Sequence, residues 1–375
     1  MGKQNQQVMH VLRGNAFAVD RGISQMLQRS GTDYRICIAD VNEIGEQATI
    51  AFNREWVDKV PTDRFCGVLE MSAVVKRAHG RWQSMLKVVW IEYAFRSLRK
   101  LLVGPRVIVF HGTTPHPIML LVLRMFGKRL VYVHWGRKMV YTKSDLICCP
   151  FLNMYNRILV LMSPELRYFK FISAKRLVVM PYPDDFPYFS KDDIARGADD
   201  QCILVGNSAW YINGYKNLLA KFSRDDWKRI TFMLPYGNEG NANKVQEFVD
   251  AGKAALGQRF DPWTEILPPA EYVAKIRKYE YYCCVEELQT GLGIIYNSIL
   301  SGKTLILAGD NYQWLSDLGI KVFDFKSVSD FSVSNLRRLK LSDEQKIRNA
   351  MLLINRFRNE FGIEKWCTII RGVDA

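Results

Sequence analysis

Residues 281–307 read YYCCVEELQTGLGIIYNSILSGKTLIL, and the succession of chemical types in this stretch decides the fold. A short aromatic and sulfur-bearing run, YYCCVE (281–286), stops at a polar turn that carries glycines. A helical stretch over 291–301 follows, after which KTLILAG (303–309) resumes as an apolar run. Neither run alternates between apolar and polar, so both faces of each strand must be covered. That is the condition of a parallel sheet flanked by helices. The stretch is therefore a βαβ unit, and its turn sits at the carboxyl end of a strand, where doubly wound sheets bind ligands.

The same rhythm extends in both directions. Around the unit lie CILVG (202–206), ITFMLP (230–235), WTEIL (263–267) and KVFDF (321–325), with helix-like stretches at 242–256 and 269–279. An earlier series comprises VMHVL (8–12), RICIA (35–39), VIVFH (107–111), RLVYVH (129–134), RILVLM (157–162) and LVVMP (177–181). A chain of 375 residues suits two domains of ~150 to 200 residues. Between the series, the Pro- and Asp-rich PYPDDFPYFSKDDIARGADD (181–200) has no strand or helix period. The reading is thus a first Rossmann-like domain over 1–185, a linker over 186–200 and a second Rossmann-like domain over 201–340. Paired helices are expected over 341–375, packing back on the first domain, with Ser342 and Gln345 forming a capping box. The predicted fold class is α/β of the GT-B type, two facing doubly wound domains with a deep cleft between them.

Hydrophobic residues make up 48% and charged residues 24% of the chain, a folded rather than a disordered composition. The opening MGKQNQQVMHVLRGN lacks an apolar leader core, and no run offers the ~20 apolar residues of a spanning helix. None of the eight cysteines forms a C-x-x-C pair, which predicts buried thiols rather than a zinc or disulfide framework. The charge is unevenly placed. Between residues 75 and 143 fourteen Lys or Arg face one acid, Glu92, so this window holds 14 − 1 = +13 of the formal +14. Such a patch suits an anionic membrane surface or a pyrophosphate-linked acceptor. Nucleic acid is disfavoured because no recognition module accompanies the charge. Within the window, residues 81–102 read as a basic amphipathic helix, either an in-plane membrane anchor or a core-facing helix with a solvated side.

Three loops at strand ends carry the chemistry of a ligand site. In LVGNS (204–208), Gly206 allows close backbone approach while Asn207 and Ser208 offer side-chain hydrogen bonds. LPYGN (234–238) contributes Tyr236, Gly237 and Asn238. In QTGLG (289–293), Gly291 and Gly293 open a helix whose amides and positive end suit a phosphate, with Gln289 and Thr290 adding hydrogen bonds. Neither the dinucleotide G-x-G-x-x-G nor the P-loop fingerprint is present, and no D-x-D stands at a strand end. A metal-independent enzyme without a resident cofactor is expected, its nucleotide-sugar serving as co-substrate. All five histidines fall within the first 134 residues. His111 and His134 end apolar strands and Asp20 opens the first helix. These three are the candidates for a general base.

HVLRGN (10–15), FHGTTPHP (110–117), HWG (134–136), LVGNS, LPYGN, QTGLGIIYNSILSGKTLIL (289–307) and NYQW (311–314) together resemble glycosyltransferase family 56. A member of that family adds 4-acetamido-4,6-dideoxygalactose (Fuc4NAc) from its TDP donor to a polyprenyl-linked disaccharide in enterobacterial common antigen synthesis. The resemblance, over about residues 8–325, implies a GT-B fold and a TDP- or UDP-linked dideoxy-acetamido sugar donor. It also implies a lipid-pyrophosphate-linked glycan acceptor and a peripheral position on the cytoplasmic face of a bacterial inner membrane. The chain departs from the family in two places. Arg137 and Lys138 follow HWG where the family has an Asp after W-G-A, and AWYING (209–214) replaces the family's stretch after LVGNS. The departures leave an O-antigen or capsule pathway open beside the enterobacterial one. Rival readings are a GT-B-type sugar-nucleotide epimerase or phosphorylase, and a non-enzymatic basic protein of the membrane surface.

Overall fold

The computed structural model describes residues 7–13, 17–40, 50, 53–54, 57–70, 97–112, 115, 117–135, 151–183, 194, 198–222, 226–235 and 242–372. They divide into two compact units, Met1–Asp184 with Phe361–Ala375, and Asp185–Glu360.

The first unit is built on seven parallel strands: β1 (Val8–Leu12), β2 (Tyr34–Asp40), β3 (Phe65–Glu70), β4 (Val107–His111), β5 (Arg129–Val133), β6 (Arg157–Val160) and β7 (Leu177–Val179). They lie in the order β3-β2-β1-β4-β5-β6-β7. Every residue of β1 and β4 is buried, as strands covered on both faces require. Helix α1 (Phe17–Arg29) follows β1, and α2 (Pro117–Met125) joins β4 to β5. The direction of winding reverses between β1 and β4, which leaves a crevice at their carboxyl ends.

The second unit repeats the plan with β8 (Asp199–Val205), β9 (Arg229–Met233), β10 (Phe260–Trp263), β11 (Tyr279–Cys284), β12 (Thr304–Leu307) and β13 (Phe323–Asp324). These also pair in parallel, in the order β10-β9-β8-β11-β12-β13, so the reversal falls between β8 and β11. Its helices are α3 (Ile212–Leu219), α4 (Ala242–Leu256), α5 (Pro269–Ile276), α6 (Leu292–Leu300), α7 (Gly309–Asp317), α8 (Val333–Leu339) and α9 (Asp343–Asn359). Helix α3 buries Ile212, Tyr215, Leu218 and Leu219, and α4 buries Val245, Phe248, Val249 and Leu256. Both stripes recur at helical spacing and close over Ile203, Val205, Ile230 and Phe232 of the sheet.

Two sequence expectations are corrected, and one strand is new. The strand expected at 263–267 is instead Phe260–Trp263. It contains Pro262, which a strand accepts at the edge of a sheet, and β10 is an edge strand. Strand β8 begins at Asp199, inside the expected linker, because its two acids are held. Lys228 bonds Asp199 at 2.7 Å and Arg337 grips both oxygens of Asp200 at 3.0 Å. Strand β3 has no counterpart in the sequence reading. The capping box of α9 forms as read, with Gln345 N donating to Ser342 Oγ at 3.3 Å and Ser342 N to Gln345 Oε1 at 3.1 Å. Helix α9 belongs to the second unit. The last helix, α10 (Ile363–Arg371), belongs to the first, where the Arg129 guanidinium donates to the Ile370 and Ile369 carbonyls at 3.0 and 3.3 Å.

Candidate functional site

At the reversal point of the second sheet the loops after β8 and β11 meet. Gly206 has φ 71°, a left-handed conformation that costs a side-chain-bearing residue dearly. A Cβ there would also overlap the Tyr215 hydroxyl. That hydroxyl organises the loop. It accepts from the backbone N–H of Asn207 at 3.2 Å and of Ser208 at 3.4 Å, and donates to Glu286 Oε1 at 2.8 Å. Glu286 stands two residues beyond β11 and is buried. Its second oxygen accepts from Cys284 Sγ at 2.8 Å. Burial pushes the Glu286 carboxyl up, while the hydrogen bonds from Cys284 and Tyr215 oppose that shift.

The other side of the crevice comes from the turn before α6. Asn207 Nδ2 donates to Thr290 Oγ1 at 3.0 Å, and Gly291 caps α6 in a left-handed conformation with φ 61°. A Cβ on Gly291 would lie 2.7 Å from Asn207 Nδ2, so the close approach of the two loops depends on a glycine here. The first amides of α6 have no acceptor within the helix. Gly293, in the first turn, is exposed and has open space where a Cβ would stand. Asn207 Oδ1 is buried and has no hydrogen-bond partner among the described residues, an unusual state for a buried carbonyl oxygen.

The structure thus brings together Gly206, Asn207, Ser208, Thr290 and Gly291 of the sequence-predicted set. Ser208 turns its hydroxyl inward as the cap of the short turn Ala209–Tyr211, accepting from Trp210 N at 3.2 Å. Gln289 is half-buried in the same turn. Tyr236, Gly237 and Asn238 lie outside the described residues. Sequence reasoning missed Glu286 and Tyr215. The signal for Glu286 was an acid pair at the end of a buried strand, whereas nothing local marks Tyr215.

At the reversal point of the first sheet the chemistry is aromatic. His10 Nδ1 and His111 Nε2 are 3.0 Å apart, and His111 Nδ1 lies 2.7 Å from the Tyr182 hydroxyl, which also accepts from Trp135 Nε1 at 2.8 Å. Trp366 of α10 stacks on both imidazoles, with ring centroids 5.8 and 6.2 Å away. Both histidines are buried. Burial lowers His10 to about 3, and burial with the neighbouring His10 holds His111 well below the usual histidine range. Both are neutral at physiological pH, and both nitrogens of His111 are engaged. His134 belongs to another cluster, edge-on to Phe169 at 5.1 Å, with Nε2 3.8 Å from Glu165 Oε1. It too is buried. The strand-end histidines are therefore inside the unit rather than presented at its surface. Asp20 lies in the first turn of α1, at the carboxyl end of β1, and its side chain is outside the described residues. Among the described residues no group of three or more His, Cys, Asp or Glu is arranged to hold a metal ion.

No protein-family model and no curated protein matches the sequence. Solved structures share the fold. The N-terminal domain of the Candida albicans trehalose-6-phosphate phosphatase superposes with a TM-score of 0.67 at 12% identity, over 100% of this chain and 99% of that one. Anabaena Alr3699/HepE, solved in complex with UDP and glucose, gives 0.64 at 10% identity over 98% and 99%. Sucrose-phosphate synthase from Thermosynechococcus elongatus gives 0.62 at 13% identity over 98% and 99%. At such identities the likeness is one of fold. The chain has the two-domain α/β architecture of the GT-B type.

Proposed function

We propose that this protein is a nucleotide-sugar-dependent glycosyltransferase that binds its donor at the reversal point of the second sheet. The observation that carries the reading is the convergence of the Gly206–Ser208 loop and the Thr290–Gly291 turn on one crevice. There the first amides of α6, which have no acceptor within the helix, suit a diphosphate, and Asn207 Oδ1, without a partner among the described residues, suits a hydroxyl or N–H donor on the sugar. The UDP and glucose bound by HepE, which shares the fold, support it. Gln289, Gly293 and the Tyr236–Asn238 loop complete the proposed donor site.

In the reaction the bond between the sugar's anomeric carbon and the diphosphate breaks, and the nucleoside diphosphate leaves with the electron pair. The acceptor hydroxyl forms the new bond and gives its proton to a base. The positive end of α6 stabilises the departing diphosphate without a metal. Of the three candidate bases, His111 has both nitrogens engaged and His134 is buried. The proposed base is accordingly Asp20, at the reversal point of the first sheet. Following the family resemblance, the donor sugar is a dideoxy-acetamido hexose of the Fuc4NAc kind on TDP or UDP. The acceptor is a polyprenyl-pyrophosphate-linked glycan of bacterial surface polysaccharide synthesis, met at an anionic inner-membrane surface.

The test is calorimetry with TDP, UDP, GDP and their sugars, EDTA present throughout. One diphosphate is expected to bind. Gly293→Val points its side chain into open space, so it should leave the melting temperature unchanged while abolishing that binding. Asp20→Asn should bind the diphosphate normally and lose ~10²- to 10⁴-fold in turnover. Absence of binding by every nucleotide, or equal affinity in the Gly293 variant, would remove the donor-site assignment.

A further inference from the structure

Helix α2, PIMLLVLRM, is apolar around nearly its whole circumference, a pattern that belongs to buried helices. Only one side of it is buried, by Met119, Leu120 and Leu123. The other side leaves Ile118 58%, Leu121 44% and Met125 76% exposed, with Phe126 just beyond the helix at 67%. These positions, at i, i+3, i+7 and i+8, form one continuous stripe. Val103, 81% exposed, ends the preceding helix, 97–103. Lys128 Nζ donates to the Gly104 and Pro105 carbonyls at 2.7 and 3.1 Å, fixing the end of the 97–103 helix beside the end of α2.

The charge along this part of the chain has one sign. Arg99, Arg106 and Arg124 are exposed, and the sequence holds no Asp or Glu between Glu92 and Asp145. We propose that this face seats in the plane of an anionic lipid bilayer. Its apolar stripe would enter the boundary between headgroups and acyl chains, and its arginines would meet lipid phosphates. The charge decides between occupants. A second copy related by a two-fold axis would set this cationic surface against itself, whereas an anionic bilayer supplies both the apolar layer and the opposite charge. No described helix is long and apolar enough to cross a membrane, so the contact is interfacial. The membrane-borne acceptor of the proposed function gives the surface its purpose, and the proposal rests on that reading to that extent only.

The test sediments the full-length protein with vesicles of phosphatidylcholine mixed with phosphatidylglycerol, and with vesicles of phosphatidylcholine alone. The wild type is expected to partition onto the mixed vesicles and to be released by salt. The variant Leu121→Ser/Met125→Ser/Phe126→Ser should lose at least ~30-fold in partitioning. Arg99→Ser/Arg106→Ser should lose about five-fold per charge removed. All these side chains are exposed, so both variants should melt with the wild type, and the charge variant provides a second reading if the serine variant does not. Wild-type partitioning by both variants would overturn the proposal, as would a wild type that binds neither vesicle. A dimer that the serine variant converts to monomer would assign the stripe to a second copy instead. Nucleotide calorimetry on the same preparations is independent of vesicle binding, so failure of the donor site and failure of this surface are told apart.

Discussion

The imidazoles of His10 and His111 share a hydrogen bond inside the first unit, where neither meets water. Burial favours the neutral form, so His10 is lowered to about 3 and His111 lies well below its ordinary value. In the unfolded chain both would titrate near 6.5. As pH falls below that value, the unfolded state takes up protons that the folded state refuses, and stability declines. The contribution is complete above about pH 6.5 and drains away as the pH drops towards the folded value of about 3 for His10. Between pH 6.5 and 5.5 each imidazole should cost the first unit about 1 kcal/mol. Urea unfolding of the wild type and of His10→Phe over that interval checks it, since the variant has one fewer titrating group and should show the shallower loss. Equal slopes would mean that His10 takes up its proton in the folded state. The network around the pair was hidden from sequence reasoning. His111 stands out as a strand-end histidine, but its partners His10, Tyr182 and Trp366 come from distant parts of the chain, and no local spacing connects them. The donor crevice was more legible. Gly206 and Asn207 follow β8 directly, and Thr290 and Gly291 close the turn that leads from β11 into α6, so the two parallel strands bring them to one edge of the sheet.

Among elements, those with a periodicity of their own were readable. Helix α4 fills the predicted 242–256 because its apolar stripe repeats without interruption, and α9 starts where its capping box places it. Strand β3, FCGVLE, holds a glycine at φ 87° and ends on an acid, and β10 carries Asp261 and Pro262. Both are edge strands, where the apolar signal is diluted. The attachment of α9 could not be read from its sequence, since its partners are distant in the chain: Phe357 packs edge-on to Tyr296 of α6 at 5.1 Å, and a buried polar contact adds to it. Lys346 is buried and ion-paired to the equally buried Glu280 of β11 at 2.7 Å. Thr304 of β12 donates to the same carboxylate at 3.2 Å. Removing Lys346 leaves the buried carboxylate with the partly exposed Lys340, 3.9 Å away, which puts the cost at the low end of the roughly 3 to 5 kcal/mol of a stranded buried charge. Lys346→Met should therefore destabilise the second unit by about that amount, and adding Glu280→Gln should recover part of it. Chemical denaturation of the two variants and the wild type measures both steps. A single variant as stable as the wild type would show that the pair contributes little to holding α9.

At the scale of the whole molecule the chain leaves the first unit near Asp184 and returns to it at Phe361. The first unit is thus discontinuous and the second is not. What returns is α10, whose Trp366 is 1% exposed and stacks against His10 and His111, while Arg129 at the start of β5 caps its carbonyl end. A chain ending at Glu360 would keep every residue of the second unit. It would uncover the imidazole pair and take the Ile369 and Ile370 carbonyls away from the Arg129 guanidinium. Loss of a buried Trp alone costs about 3 to 5 kcal/mol, a large share of the 5 to 15 kcal/mol by which an ordinary domain is stable. The truncated protein should consequently show two melting transitions. The lower one would belong to the first unit and the upper one to a second unit that binds the nucleoside diphosphate with unchanged affinity. Calorimetric melting with and without that nucleotide distinguishes them, because only the transition of the binding unit rises with ligand. One transition at the wild-type temperature would mean that α10 adds nothing to the first unit. If the nucleotide-sensitive transition were the lower one, the donor would have to be bound by the first unit.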